Sequence, residues 1–223
     1  MTRTLARFTL TLKPRLGFKV YAYSMTEPSA SFEQMRFALA SWLELSDLQW
    51  RTFAGIFNEK RVAHTEHLLH PGDQDYELVF VCEGLLRFYY PAADGSETNK
   101  AFVTNGFAGP LAASGLGLPI LYGVEALEDT LLLTADMGAF RALFDEHPVF
   151  DRFGRLLAEA MLRRKELRAR SLLQQSATER YLAFKEQHPE LLRRLPQYHI
   201  ASYLGITEVS LSRLKRELRP HYA

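Results

Sequence analysis

Apolar and polar positions change period twice along the chain. From Ser31 the spacing is helical: Phe32, Met35, Leu39 and Trp42 fall on one face. Ser31-Phe-Glu-Gln34 and Ser46-Asp-Leu-Gln49 both have capping-box spacing, so helices are predicted over about 31–43 and 46–58, with Phe53 turned inward. The pattern then shortens. Tyr76–Cys82 and Leu85–Tyr90 are apolar, aromatic and β-branched, and Glu83-Gly84 separates them. Asp94-Gly95 signals a hairpin with Lys100–Val103 returning, Leu131–Thr134 closes the β region, and Met137–Phe144 is a short helix. Gly72, Gly84, Gly95 and Gly106 recur every 11 or 12 residues, a cadence of turns that suits a small sandwich or barrel.

Helical spacing returns at Pro148. Val149, Phe153, Leu156 and Ala160 alternate by four and three, the seam two helices share. It breaks at Arg163 and resumes at Leu167. A dimer helix over about 148–175 is therefore expected, against the alternative of a helix lying on its own β domain. Ser176-Ala-Thr-Glu179 repeats the capping-box spacing and starts a helix that should stop at His188-Pro189.

The strongest local pattern lies in residues 197–216, which read as a helix-turn-helix. Ala201 takes the small position where two helices touch, and Gly205 follows four residues later where the turn needs positive φ. Ile200, Leu204, Ile206, Leu211 and Leu214 fill the apolar positions, and Thr207 can cap the second helix. With Leu211, Leu214 and Leu218 buried, that helix presents Val209, Ser212, Arg213 and Arg216 outward, with Glu208 at its N-terminal end. Arg reads guanine, Glu accepts from cytosine N4 and an apolar chain touches the thymine methyl. Ser210, Ser212, Arg216 and Gln197 suit phosphates, and Arg213 is the candidate base reader.

Charge sharpens this reading. The net charge of +1 hides an asymmetry: residues 151–223 hold 15 Lys/Arg against 8 Asp/Glu, and residues 1–150 hold 12 against 18. A basic C-terminal third on an acidic body points to a polyanionic partner. Residues 1–24 carry Arg3, Arg7, Lys13, Arg15 and Lys19 and no acid, and form either a basic extension or a tail ahead of a true start at Met25. The single Cys82 excludes internal disulfides and Cys-only metal sites, which fits a cytoplasmic protein. No apolar run approaches the ~20 residues of a membrane span.

A β-roll, a long helix and a C-terminal helix-turn-helix, in that order, resemble a Crp/Fnr-family transcription regulator over residues 31–217. The residues that carry the likeness are the glycine-punctuated β region, Ala126-Leu-Glu-Asp-Thr130 after a ligand cassette, and Gln197–Glu217. The resemblance implies an α+β fold. Residues 25–147 would form a double-stranded β-helix (jelly roll) effector domain, 148–175 the dimerisation helix and 176–223 the DNA-binding domain. That last domain would be winged-helix-like with a reduced wing, since six residues follow Glu217. It further implies a homodimer on palindromic double-stranded DNA, with RNA polymerase a candidate partner.

The cassette departs from the nucleotide-binding pattern. Pro110 stands where the ribose-binding Glu is expected and Ile120 where the phosphate-binding Arg is expected. Neither can do that work, so cyclic AMP is not the expected ligand. Phe107, Gly109, Pro110, Leu111, Ile120 and Leu121, with Leu116, Leu118 and Tyr122 nearby, would leave the chamber filled or open to an apolar or neutral molecule. Strand Ala126–Thr130 would follow.

His64, His67 and His70 recur at intervals of three, but Pro71-Gly72 makes the stretch strand or loop, where that spacing scatters side chains. No metal or cofactor is expected, and Cys82 in its apolar strand is expected to be inert. The leading function is a dimeric DNA-binding regulator. A cupin-like enzyme lacks an assembled metal triad or nucleophile–base pair, and an interaction module without DNA binding is the third reading. Operator, effector and direction of regulation are not encoded legibly.

Overall fold

The computed structural model describes residues 29–218; the basic extension at 1–24 and Arg219 lie outside them. Helix α1 (Ala30–Ala40) starts at Ser29, two residues before the expected cap. Ser31 lies inside the first turn instead, buried, with its hydroxyl donating to Glu59 Oε2 at 3.0 Å. Helix α2 (Asp47–Ala54) has the expected box: Ser46 Oγ accepts from Gln49 N, and Gln49 Oε1 accepts from Ser46 N. It ends four residues before the expected boundary, because Asn58 opens a strand whose polar sequence carries no alternation to betray it.

Eight strands follow in two antiparallel sheets. They are β1 (Asn58–Val62), β2 (His67–Leu69), β3 (Glu77–Glu83), β4 (Leu86–Pro91), β5 (Glu97–Val103), β6 (Gly106–Ala108), β7 (Gly123–Ala126) and β8 (Thr130–Asp136). One sheet has the order β1-β8-β3-β6 and the other β2-β7-β4-β5, the crossed-over arrangement of a roll. Gly72, Gly84, Gly95 and Gly106 all have positive φ, so the cadence marks real turns. At Gly84 (φ +103°) a Cβ would stand 2.3 Å from Thr130 Oγ1, which leaves glycine alone able to fit. The segment after Ala126 is the turn joining β7 to β8, not the continuous strand expected through Thr130.

Period-two alternation makes β3 a two-sided strand. Val79 and Val81 face the inside of the roll with Leu86, Phe88, Val124 and Leu132. Leu78 and Phe80 face outward, where helices cover them. Phe53 of α2 centres that outer layer, with Phe57, Phe107, Phe140, Phe150 and Phe153 rings 5.1–6.4 Å away. Helix α3 (Leu111–Leu116) interrupts the roll, and α4 (Met137–Glu146) is capped by Asp136, which accepts from Ala139 N. Helix α5 (Pro148–Gln174) runs 27 residues with Pro148 in its first turn, where a missing N–H costs nothing.

The last unit holds α6 (Ala177–Gln187), α7 (Leu191–Arg194), α8 (Gln197–Leu204) and α9 (Glu208–Leu218). The Ser176/Glu179 box forms as expected, and α6 stops before His188-Pro189. Tyr181, Phe184, Leu191, Ile200, Leu204, Leu211 and Leu214 make its core, which Leu85 from the roll joins.

Candidate nucleic-acid interface and effector chamber

Helices α8 and α9 meet as the sequence pattern requires. Gly205 is left-handed (φ +68°) and Ala201, 1% exposed, accepts from Ile206 N at 3.1 Å. Thr207 Oγ1 accepts from Ser210 N at 3.1 Å, satisfying an orphan amide at the start of α9. Leu211 and Leu214 point inward, and Glu208, Val209, Ser212, Arg213 and Arg216 lie together on the open side. Ser210 is also exposed, its hydroxyl 2.9 Å from Thr207 Oγ1. Gln197 stands at the α8 N-terminus, but its Oε1 already accepts from Lys215 Nζ at 2.9 Å. Lys215 was not anticipated; it sits between the buried and open faces of α9, where a helical wheel leaves its role undecided.

The helix-turn-helix unit is docked on the outer face of the β4–β5 sheet, a contact the sequence did not reveal. Asn99 N donates to Ser202 Oγ at 2.9 Å, and Asn99 Nδ2 donates to the His199 carbonyl at 2.9 Å. Arg87 lies beneath, bridging Glu97 at 2.7 Å and Glu125, and donating to Asn99 Oδ1 at 3.3 Å. Arg194 of α7 pairs with Glu128 at 2.6 Å and donates to the Gly84 carbonyl at 2.7 Å. Helix α5 joins from another side: the Arg168 guanidinium stacks 4.1 Å over Tyr203 and donates to its carbonyl. Phe102 packs on Tyr203 at 5.5 Å. Burial, and next the neighbouring Arg87 charge, push the His199 imidazole down to about 4, so the ring is neutral in the docked state.

The expected dimer seam divides. Phe153 is 1% exposed and sits in the chain's own aromatic core, with Phe150 and Leu157 beside it, so no partner can reach it. Seam spacing placed it with the outer residues because a helix carries two adjoining apolar stripes here and spacing does not separate them. Val149, Leu156 and Ala160 lie partly exposed at the edge, and Leu167 is exposed one turn beyond the Arg163 break.

The expected pocket residues do not converge. Ile120 is buried, with its backbone paired to Gly72 and Asp73, and Pro110 caps α3. Leu116, Leu118 and Leu121 are exposed, so none of them lines a chamber. Phe107 and Leu111 pack outward against the helical layer. Of the expected set, Gly109 alone borders the small cavity inside the roll, about 10 Å³ between Leu68, Leu69, Val79, Leu86, Phe88 and Val124. That volume is about the least that a single water needs. Tyr122 does face this interior, over Phe88 at 5.7 Å.

His67 and His70 stack at 5.1 Å on and beside β2, and among the described residues no group of three His, Cys, Asp or Glu could hold a metal. The Cys82 thiol is half-buried and burial pushes its pKa up, so the reactive thiolate is disfavoured. Among the described residues no helix is long and apolar enough to cross a membrane.

The architecture has two parts: a β-roll with a long helix, and a helix-turn-helix unit docked on it. Residues 59–147 match the cyclic nucleotide-binding domain family. Among solved structures, a CooA mutant from Carboxydothermus hydrogenoformans is similar at TM-score 0.63 and 20% identity, covering 84% of this chain and 85% of that one. FixK2 from Bradyrhizobium japonicum is similar at TM-score 0.64 and 19% identity, over 74% and 86%. A putative Crp/Fnr-family transcriptional regulator from Eubacterium rectale gives 0.63 and 17%, over 79% and 85%. No curated protein sequence matches the chain. The chain shares the fold of these solved structures, and its residues 59–147 match the cyclic nucleotide-binding domain family.

Proposed function

We propose that this protein is a dimeric, sequence-specific DNA-binding regulator of the Crp/Fnr type. The observation that carries the reading is the open face of α9. Glu208, Val209, Ser212, Arg213 and Arg216 stand exposed on a helix whose other face is locked to α8, as a major-groove reader requires. Arg213 reads a base; Arg216, Ser210 and Ser212 hold phosphates. Thr207 and Gln197 flank them. Pairing runs through Val149, Leu156, Ala160 and Leu167 of α5, so two α9 helices meet successive major grooves of a palindrome about one turn, ~10 bp, apart.

The near-absence of space in the roll, with Pro110 and Ile120 in the cassette, argues against cyclic AMP as effector. No catalytic role is assigned, and contact with RNA polymerase follows solely from the regulator type. The test is selection of bound duplexes followed by salt titration of affinity. A dyad-symmetric motif and a steep loss of affinity with salt are expected. Salt-insensitive or motif-free binding would overturn the reading.

A further inference from the structure

Outside the roll, a cleft of about 190 Å³ lies between the end of α1, the start of β6 and the middle of α5. Trp42 and Phe107 form its aromatic walls, and both rings meet Phe153 edge-on, at 6.1 and 5.2 Å. Leu157 and Met161 face it from successive turns of α5. Arg164 follows, and is the one charged side chain among the described residues that line the cleft. It is exposed and makes no hydrogen bond or ion pair to any described residue. Leu157 to Arg164 spans about 10 Å along the helix axis, so the cleft is a trough with its cation at one end.

Small residues keep this trough open. Ala38, Gly106 and Ala160 line it, where rings around Phe53 fill the rest of the outer layer. A Cβ added at Gly106 would meet no atom within 4 Å. The Ser41 hydroxyl donates to the Ala38 carbonyl at 2.7 Å, so its proton is not offered to the trough. No described carboxylate lines the walls, and a cation there would face Arg164. An apolar body with an anionic head suits both features. The head pairs with the guanidinium fork in charge-assisted hydrogen bonds, and the body takes apolar wall out of water. An apolar cavity of about 150 Å³ holds a benzene ring. A ring is shorter than this trough, whereas a flexible chain can run its length against the adaptable Met161.

We propose that the cleft binds a medium-chain fatty carboxylate, its head on Arg164 and its chain along Trp42, Phe107, Leu157 and Met161. The site is distinct from the interior of the roll, since Phe107 faces outward from β6 and α1 supplies one wall. It is distinct from the open face of α9 as well, and its formation needs no DNA. A small inorganic anion gains the guanidinium but leaves the apolar walls in water. A neutral alcohol of the same length gains the walls but not the charge. The site goes beyond the regulator reading and does not rest on it.

The test uses the full chain, titrated with octanoate below its micelle concentration, with 1-octanol and acetate as controls. Calorimetry measures binding, and tryptophan fluorescence reports it through Trp42. Octanoate should bind at one site per chain, octanol about tenfold more weakly, and acetate not detectably. Arg164→Gln, a change at an exposed position, should weaken octanoate about tenfold and leave octanol unchanged. Ala38→Leu keeps a strong helix former in α1 while filling the trough, and should abolish octanoate binding in a chain that still melts cooperatively. Ala160→Leu fills the trough from α5 and should do the same. Failure to bind octanoate, equal affinity for octanol, wild-type affinity in Arg164→Gln, or binding that survives both filling variants would each overturn the site. DNA affinity is measured separately. Absent DNA binding refutes the regulator reading while the site stands, and a failed octanoate titration leaves that reading as it is.

Discussion

Asn99 Nδ2 donates to both the carbonyl oxygen and ring Nδ1 of His199, at 2.9 and 3.1 Å. Its Oδ1 accepts from Arg87, so the amide is held in one orientation and the imidazole proton is fixed at Nε2. One short side chain on β5 thereby fastens the helix-turn-helix unit to a charged network on the roll. Both residues are buried, so neither can exchange this partner for water without undocking.

The docking should weaken in acid. His199 sits near 4 when folded and near 6.5 when free, so the unfolded or undocked chain binds the extra proton. The contribution is intact above about pH 6.5 and is lost as pH falls toward 4, by up to about 3 kcal/mol. Melting curves from pH 7.5 to 4.5 should show a steeper decline for the wild type than for His199→Asn. Parallel curves would mean that the ring does not stay neutral at this contact.

Breaking the amide end should show as looser docking. Asn99→Ala strands His199 and one Arg87 N–H at a cost of about 1–3 kcal/mol. Amide exchange in β5 and α8 is expected to quicken together, while α1 and α2 stay protected. Unchanged exchange in α8 would refute this latch.

The two stripes of α5 should respond differently. Phe153→Ala removes a ring from the aromatic core and is expected to cost about 3–5 kcal/mol of stability. Leu156→Glu combined with Ala160→Glu should leave the melt nearly unchanged but yield monomers with weakened operator binding. Sedimentation that still finds a dimer would move the interface off this stripe.

On α9 the two arginines should separate. Arg213→Ala is expected to cost ~1–3 kcal/mol and relax preference at one base position per half-site. Arg216→Ala should weaken all sequences alike and flatten the salt slope. If both leave the selected motif untouched, Arg213 does not read a base.

Cyclic AMP and cyclic GMP at millimolar concentration should leave the melting temperature unchanged. Pro110 and Ile120 stand where the ribose-binding and phosphate-binding side chains are expected, and a ligand that did bind at 100 times its Kd would add about 2.7 kcal/mol. A clear shift would show that the cassette is read in the wrong register.

The sequence by itself determined what depends on neighbours within a turn or a hairpin. The positive-φ glycines, the boxes at Ser46 and Ser176, the long helix from Pro148 and the Ala201–Gly205 corner all follow from spacing, because their partners lie within a few residues. Strand β1 escaped because a polar edge segment has no alternation to read. Tertiary structure alone decided which α5 stripe is core, since Phe153 and Leu156 look alike until an aromatic cluster claims one of them. It also decided that the cassette residues diverge and that Trp42, Phe107 and Arg164 line one cleft, because three separate elements supply its walls without any local signature. The Asn99–His199 contact joins residues 100 apart in the chain. No period links such positions; they meet because an antiparallel roll and a helical unit expose complementary polar groups that burial compels to pair.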